Sequence, residues 1–308
     1  MGILLTGRNG FLGKEIHSFF IPKHKINSIV RSFPADRTEQ VIISDLAKVA
    51  PDLSELNYDI IIHAAGKAHV LPKTQEEKDS FYTENVAISK NLLGALEQLE
   101  YKPKQFIFIS SVAVYGLDFG RSITETTQLS ATDAYGKSKV ESEKLITAWC
   151  DKHNVILSIL RLPLIAGENP PGNLGDMISA IKQGRFPLIA NGKAKRSMVL
   201  ARDVSVFIDL IKSVGGIYHL TDGHDPSFKE LTHALMGSDR KVLSIPLSIA
   251  KVMAFVGDTI SKISSKELPF NSRRLEKMTS SLTFSNNKAT KTAGWKPTSV
   301  LDYYKKLS

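Results

Sequence analysis

The sequence predicts an α/β chain in which a doubly wound parallel sheet is followed by a smaller C-terminal domain. Three observations carry this expectation. Short apolar runs alternate with longer amphipathic stretches through the first half, the first run ends in a glycine-rich turn, and proline and glycine break the rhythm after Leu162. A length of 308 residues suits one large or two closely joined domains.

The apolar runs are 2–6, 25–31, 40–44, 59–63, 104–110 and 155–161, each rich in Ile, Val, Leu or Phe. Stretches 79–100 and 134–153 are long enough to be helices between the later runs. Strand, helix, strand repeated in this way requires right-handed crossovers and a parallel sheet covered on both faces. Beyond Leu162, residues Pro163, Pro170, Pro171 and Gly172 mark an irregular segment, after which 176–183 reads as helical and 196–200 as extended. A helix over 203–212 and a run over 216–220 read as late returns to the sheet. The expected division is therefore 1–165 plus 203–222 for the sheet domain, and 166–202 plus 223–308 for the smaller one. The late apolar stretch 245–263 is interrupted by Lys251, Asp258 and Lys262, so no membrane span is expected. Its residues Ile249, Val252, Met253, Val256 and Ile260 recur at helical spacing, which predicts a core-facing helix ahead of a partner-binding face.

Hydrophobic residues at 42% and charged residues at 23% exclude a disordered or fibrous chain. The single cysteine, Cys150, has no internal partner, and Met1 leads straight into GILLTG without a basic, apolar leader. A reduced, cytoplasmic protein is expected. Forty basic and thirty-one acidic residues leave +9, which attracts anionic partners. The basic residues are scattered, the densest cluster being Lys193, Lys195 and Arg196, and no stripe of them alternates with stacking aromatics, so nucleic acid is not an expected partner. No histidine has a second ligand at metal-site spacing, and no metal is expected.

Thr6-Gly7-Arg8-Asn9-Gly10-Phe11-Leu12-Gly13 lies between the first strand and the first helix. Glycine suits a tight turn and lets backbone approach a pyrophosphate, whose charge the helix N-terminus favours. The spacing is GxxGxxG, one residue longer than the common dinucleotide fingerprint, and its position after a strand makes the reading Rossmann-type. Gly7, Asn9, Gly10, Phe11 and Leu12 are the expected cofactor contacts. Asp45-Leu46 follows the third strand, where the carboxylate either accepts from an adenine amino group or caps the next helix. His63-Ala64-Ala65-Gly66 closes the fourth strand; Ala64, Ala65 and Gly66 are small enough to lie against a flat cofactor, and His63 reads as a hydrogen-bonded structural group.

Tyr135-Gly136-Lys137-Ser138-Lys139 places a phenol and an ammonium four residues apart, on one face of a helix. A free tyrosine titrates near pH ~10 and is a poor base at neutrality, but a neighbouring ammonium and an oxidised nicotinamide both favour the phenolate. Ser111, just past the fifth strand, can offer its hydroxyl to the same substrate oxygen. A solvent-facing Tyr/Lys pair is the alternative to this catalytic reading, which gains weight from the glycine-rich turn before it.

TGRNGFLG, HAAG, SSVAVYG and YGKSK, in this order, resemble the extended short-chain dehydrogenase/reductase superfamily, and within it the NAD-dependent epimerase/dehydratase family acting on nucleotide sugars. The resemblance covers nearly the whole chain. Arg161-Leu162-Pro163 looks like the family's strand end before the substrate domain, Asn173-Leu174 like its uracil-contacting pair, Arg196 like its diphosphate-binding arginine, and Gly294-Trp295-Lys296-Pro297 like its C-terminal signature. HAAGKAHV and GNLGDMISAIKQGRFPLI resemble bacterial enzymes of surface-polysaccharide synthesis, both UDP-hexose 4-epimerases and 4-keto-6-deoxysugar reductases. The resemblance implies a homodimer that binds a nicotinamide cofactor and a UDP-hexose.

Two departures bear on the chemistry. Sugar 4,6-dehydratases of the family carry an Asp-Glu pair where this chain has Val112 and Ala113, so dehydration is not expected. The second run ends at Arg31, where NAD-preferring members usually carry an acid; an arginine accommodates a 2′-phosphate, which tilts the choice between NAD and NADP toward NADP. The expected activity is 4-epimerisation of a UDP-hexose through a 4-keto intermediate, with Ser111, Tyr135 and Lys139 as the catalytic set, Lys139 also holding the nicotinamide ribose, and Asn173, Leu174 and Arg196 holding the nucleotide. Reduction of a UDP-4-keto-6-deoxysugar by the same three residues stands beside it, as does a dinucleotide-binding sensor or scaffold without chemistry.

Overall fold

The computed structural model describes residues 1–32, 40–54, 57–68, 74–237, 242–264 and 270–307. Seven strands, β1 (Gly2–Thr6), β2 (Lys25–Val30), β3 (Gln40–Ile43), β4 (Ile60–His63), β5 (Gln105–Ser111), β6 (Ile156–Leu162) and β7 (Gly216–His219), form one sheet in the order β3-β2-β1-β4-β5-β6-β7. Every neighbouring pair is parallel. The order reverses between β1 and β4, and such a switch opens a crevice beyond the carboxyl ends of these two strands.

Alternation along β1 sends Ile3 and Leu5 to one face of the sheet and Leu4 to the other. The first face is covered by helices α1 (Phe11–Phe20) and α5 (Ala201–Leu210), which contribute Ile16, Phe20, Val204 and Phe207. The second is covered by α2 (Gln75–Glu97) and α3 (Ala134–His153), through Leu92, Leu96, Ile146 and Trp149. Both covering helices have identifiable starts. Thr74 and Glu77 form a reciprocal capping box, which begins α2 four residues before the predicted start, and Asp133 accepts from Gly136 N at 3.0 Å, which fixes the first turn of α3.

A second lobe gathers around Leu174, Ile178, Met198, Leu231, Leu235 and Tyr304. It is built from α4 (Gly172–Lys182), α6 (Phe228–Met236) and α10 (Val300–Lys305), with a short parallel pair between Leu164–Ala166 and Met198–Leu200. Gly120–Ile123 pairs with Leu282–Phe284, so the late chain returns beside the end of β5. Following α9 (Asn287–Ala293), Trp295 packs at 88° to Phe207 of α5, which covers the sheet, its indole N–H donating to Thr221 O at 3.1 Å.

Helix α7 (Leu247–Ser264) overturns the expectation of a core-facing apolar stripe. Its inward face is Ala250, Ala254 and Gly257, and Gly257 lies so close to Phe270 that a Cβ would come within 2.1 Å of the Phe270 carbonyl oxygen. That close approach seats α7 on α8 (Ser272–Thr279) through small residues and turns Ile249, Val252, Met253, Val256 and Ile260 to solvent. Periodicity identifies which residues share a face, and the packing partner decides where that face points. Among the described residues no helix is long and apolar enough to cross a membrane.

Trp295 is 3% exposed and clamps the late chain to the sheet. Trp295→Ala is expected to cost about 3–5 kcal/mol of unfolding free energy, read from urea denaturation; a loss below about 1 kcal/mol would show that the clamp does not hold the late chain.

Candidate active site

The glycine-rich turn fits its surroundings so closely that side chains are excluded. Gly7 has φ +78°, and a Cβ there would lie 2.6 Å from Ala65 N and 2.7 Å from Ala64 C. A Cβ on Gly13 would lie 2.0 Å from Gly7 O, so α1 could not close on the turn. The turn therefore rests on the Ala64–Ala65 backbone. Gly10 caps α1 with no side-chain hydrogen bond, and no acidic residue stands in the first turn. Its own Cβ position meets only Gly7 O, at 3.2 Å, leaving room beside unpaired helix N–H groups for an anion. This turn, the small-residue wall and the buried Lys139 fit a dinucleotide.

The flanking candidates divide. Asn9 Nδ2 donates to Ser32 O at 3.3 Å and ties the turn to the end of β2, where Arg31 is exposed. Leu12 is buried in the core, and the Phe11 ring faces Gly167, where a Cβ would lie 2.9 Å from it. Asp45 opens a turn and not a helix: its carboxylate accepts from Ala47 N at 3.2 Å and lies 3.7 Å from Lys48 Nζ. Leu46 is buried, and its carbonyl accepts from Asn91 Nδ2 at 2.8 Å. His69 and Val70, the end of HAAGKAHV, lie outside the described residues.

His63 is structural. Thr6 Oγ1 accepts from Ala65 N at 3.1 Å and so donates to His63 Nδ1 at 2.7 Å, leaving Nε2–H to face Ser89 Oγ at 3.2 Å. Ser89 in turn donates to Ser142 at 3.0 Å. Burial, helped by the charge of Lys139, pushes the imidazole down to about 3, so it is neutral at physiological pH.

Ser111, Tyr135 and Lys139 come together at the carboxyl end of β5. Ser111 caps a short 3-10 turn, Val112–Tyr115, accepting from Ala113 N at 3.2 Å, and its hydroxyl favours the ionised form of the Tyr135 phenol. The phenol is pushed up to about 12 by burial, against the pull of Ser111. Lys139 is buried, donates to Ile109 O at 2.9 Å, and stands 4.8 Å above the Phe108 ring and 5.9 Å from the centre of the Tyr135 ring. Burial pushes its ammonium down to about 8, while Glu143 holds it up. A Cβ on Gly66 would lie 3.3 Å from Lys139 Nζ, so the small-residue wall ends directly at the lysine.

The sequence did not point to what stabilises this charge. Glu143, one turn below Lys139 on α3, is gripped by Arg161 through Nη2 at 2.7 Å and Nε at 3.1 Å, and Ser110 Oγ donates to it at 2.5 Å. Arg161 also donates to the Tyr115 hydroxyl at 2.9 Å, which then donates to His219 Nε2 at 2.7 Å. The available signal was Glu143 at the same four-residue spacing as Tyr135 and Lys139.

The nucleotide-side residues are not assembled with the catalytic trio. Asn173 is exposed at the start of α4, and the Leu174 side chain belongs to the lobe's core, leaving its backbone to meet a ligand. Arg196 lies 5.5 Å over the Phe228 ring and donates to Lys195 O at 2.9 Å, to Ser280 O at 2.5 Å and to Lys277 O. It thereby caps the carbonyl end of α8, a site that favours a cation. Beside it a cavity of about 360 Å³ is lined by Phe119, Arg121, Lys193, Thr279 and Ser280.

The profile of the NAD dependent epimerase/dehydratase family matches residues 3–215. Among curated relatives, the N-acetyl-alpha-D-glucosaminyl-diphospho-ditrans,octacis-undecaprenol 4-epimerase of Escherichia coli O157:H7 is 26% identical over 93% of this chain and 88% of its own. The UDP-glucose 4-epimerase of Vibrio cholerae is 27% identical over 97% of this chain and 92% of its own. The fold is similar to that of the UDP-glucuronic acid 4-epimerase from Bacillus cereus, solved with UDP-glucuronic acid and NAD, at a TM-score of 0.73 and 18% identity over the full length of both chains. The family match spans six of the seven sheet strands, the glycine-rich turn and the Ser111–Tyr135–Lys139 site together: this chain belongs to the NAD dependent epimerase/dehydratase family.

Proposed function

We propose that the protein is a sugar 4-epimerase that inverts C4 of a UDP-linked hexose through a 4-keto intermediate. The observation that carries this reading is the buried Lys139 ammonium, 5.9 Å from the centre of the Tyr135 ring and directly at the end of a small-residue wall, with Ser111 at the end of β5 acting on the same phenol. Relatives that invert C4 on UDP-glucose and on a lipid-linked N-acetylglucosaminyl diphosphate support the reaction class. Val112 and Ala113 stand in the 3-10 turn where a dehydratase needs carboxyl groups, which speaks against dehydration. The presence of all three catalytic residues speaks against a silent sensor.

Tyr135 takes the proton of the sugar 4-hydroxyl as the C4 hydride departs, and Ser111 donates a hydrogen bond to the oxygen that becomes the ketone. The nicotinamide, when bound, supplies the hydride acceptor and the positive charge that favours the phenolate. Lys139, held by Ile109 O and balanced by Glu143, keeps a cation beside the cofactor ribose. On the return step the 4-keto sugar would present its other face, C4 would take back the hydride removed from it, and Tyr135 would give its proton back to O4, so that the sugar leaves with C4 inverted. The lobe built on α4, α6 and α10 takes the nucleotide, with the Asn173 segment at the uracil and Arg196 at the diphosphate. Gly7, Asn9, Gly10, Phe11, Ala64, Ala65 and Gly66 line the cofactor, and the working state is a homodimer.

Purified protein is expected to convert UDP-glucose or UDP-N-acetylglucosamine to its C4 epimer with only catalytic cofactor, as read by NMR. Tyr135→Phe should abolish nearly all of that turnover while leaving UDP binding within about twofold, because it removes only the proton-carrying oxygen. Stoichiometric oxidation of NAD(P)H on a UDP-4-keto-6-deoxysugar, with no epimer formed in the first assay, would establish the ketoreductase instead.

Arg196→Ala should weaken UDP binding at least about tenfold in calorimetry, since a guanidinium gives the diphosphate paired, charge-assisted hydrogen bonds. Absence of UDP binding by the intact chain would remove the nucleotide assignment.

Arg31 bears on the choice of dinucleotide, and we assign it the 2′-phosphate of NADP. Arg31→Asp is expected to move the ratio of NAD to NADP affinity toward NAD; an unchanged ratio would show that Arg31 only meets solvent.

A further inference from the structure

Helix α7 is built the wrong way round for a soluble helix. Its inward positions are Ala250, Ala254 and Gly257, while its outward arc carries Ile249, Val252, Met253, Phe255, Val256 and Ile260, with Ser248 and Thr259 between them and no charge. Val252 is 65% exposed and Phe255 70%. Of the seventeen large hydrophobic residues exposed among the described ones, eight fall between Leu243 and Ile260. Surface apolar residues scattered singly need no explanation, but a continuous band of this kind marks a contact surface.

Charge chooses among the surfaces that could cover it. Lys251 and Asp258 stand at one margin of the arc, and α8, packed beneath α7, adds Arg273, Arg274 and Lys277 against Glu276, with Asp118 paired to Arg273 and Lys277, which leaves the surround one positive charge in excess. The whole chain carries +9. A second copy laid on this face would oppose like charges, whereas an anionic lipid surface supplies the opposite sign together with an apolar layer. With no helix of the described residues long and apolar enough to span a bilayer, an apolar arc with a net positive surround suits a helix lying in the interface plane.

We propose that α7 is a membrane-docking helix, which seats the protein on bilayers containing anionic phospholipid by inserting Val252, Phe255 and their neighbours among the acyl chains. The helix lies flat, with Lys251 at the edge of the arc meeting the headgroups.

The test is vesicle co-sedimentation of the full-length protein, comparing phosphatidylethanolamine–phosphatidylglycerol vesicles with phosphatidylcholine vesicles, alongside size-exclusion chromatography and a thermal melt. The protein is expected to sediment with the anionic vesicles and to be released by salt. The double variant Val252→Asp, Phe255→Asp should bind them at least about tenfold more weakly, with an unchanged melting temperature, oligomeric state and cofactor affinity. Both substituted positions are exposed, so folding is not at stake. Failure of the wild-type protein to bind anionic vesicles, or equal binding by the variant, would overturn the proposal. So would a smaller assembly for the variant, which would make α7 a subunit contact.

Discussion

A buried ammonium has to be compensated, and Lys139 sets the terms for the structure around it. Removing its charge from water costs several kcal/mol unless hydrogen bonds and opposite charge are supplied. Ile109 O supplies one hydrogen bond and Glu143 supplies the charge. Glu143 is itself buried, which calls for Arg161 and Ser110, and Arg161 in turn calls for the Tyr115 hydroxyl. The chain of compensation links α3 to the carboxyl ends of β5, β6 and β7 and ends at His219. Truncating any one charged member would leave its partner buried and unpaired, the costliest kind of single change in a protein interior.

The sheet topology puts this cluster to use. The reversal between β1 and β4 opens the crevice, and the glycines let β1, β4 and α1 approach without side chains between them. Hydrogen bonds from Thr6 through His63 to Ser89 and Ser142 then join the two central strands to α2 and α3, which carry Asn85 and Tyr135. Asn85 braces the chain just after the small-residue wall, accepting from Lys67 N at 2.6 Å and donating to Lys67 O at 3.1 Å. The wall and the catalytic helix are thus held by the same buried hydroxyls, and the gap between Gly66 and Lys139 is set by packing rather than by a mobile loop.

Features written in local chemistry were legible in the sequence. The spans of β1 and α3 match the prediction residue for residue, because an apolar run bounded by glycine and a helix bounded by Asp133 and Asn154 leave little choice. Family membership and the Ser111–Tyr135–Lys139 cluster followed from motifs that each carry a mechanism. What escaped depends on distant partners. Pairing of Gly120–Ile123 with Leu282–Phe284 joins short segments far apart in sequence. Asp45 was expected to cap a helix or bind, and the chain after it forms a turn closed by Ala47 N. Arg196 was visible as a cation, but its acceptors, the final carbonyls of α8, were not. The orientation of α7 turned on a backbone contact at Gly257, a residue whose lack of a side chain carries no pattern.

The protonation state of Tyr135 adds a last step. With the phenol pushed up to about 12, Tyr135 is protonated in the ligand-free chain at neutral pH, and the opposing pull of Ser111 does not reverse the effect of burial. Lys139, pushed down to about 8, keeps most of its charge at neutrality but sits 5.9 Å from the ring centre. A further positive charge has to arrive beside the ring before the phenolate is favoured. The ground for it lies beside Gly66, where no side chain stands between the chain and Lys139. Burial thus silences the tyrosine until the crevice is filled, and the same burial strengthens every electrostatic interaction the tyrosine makes once it is.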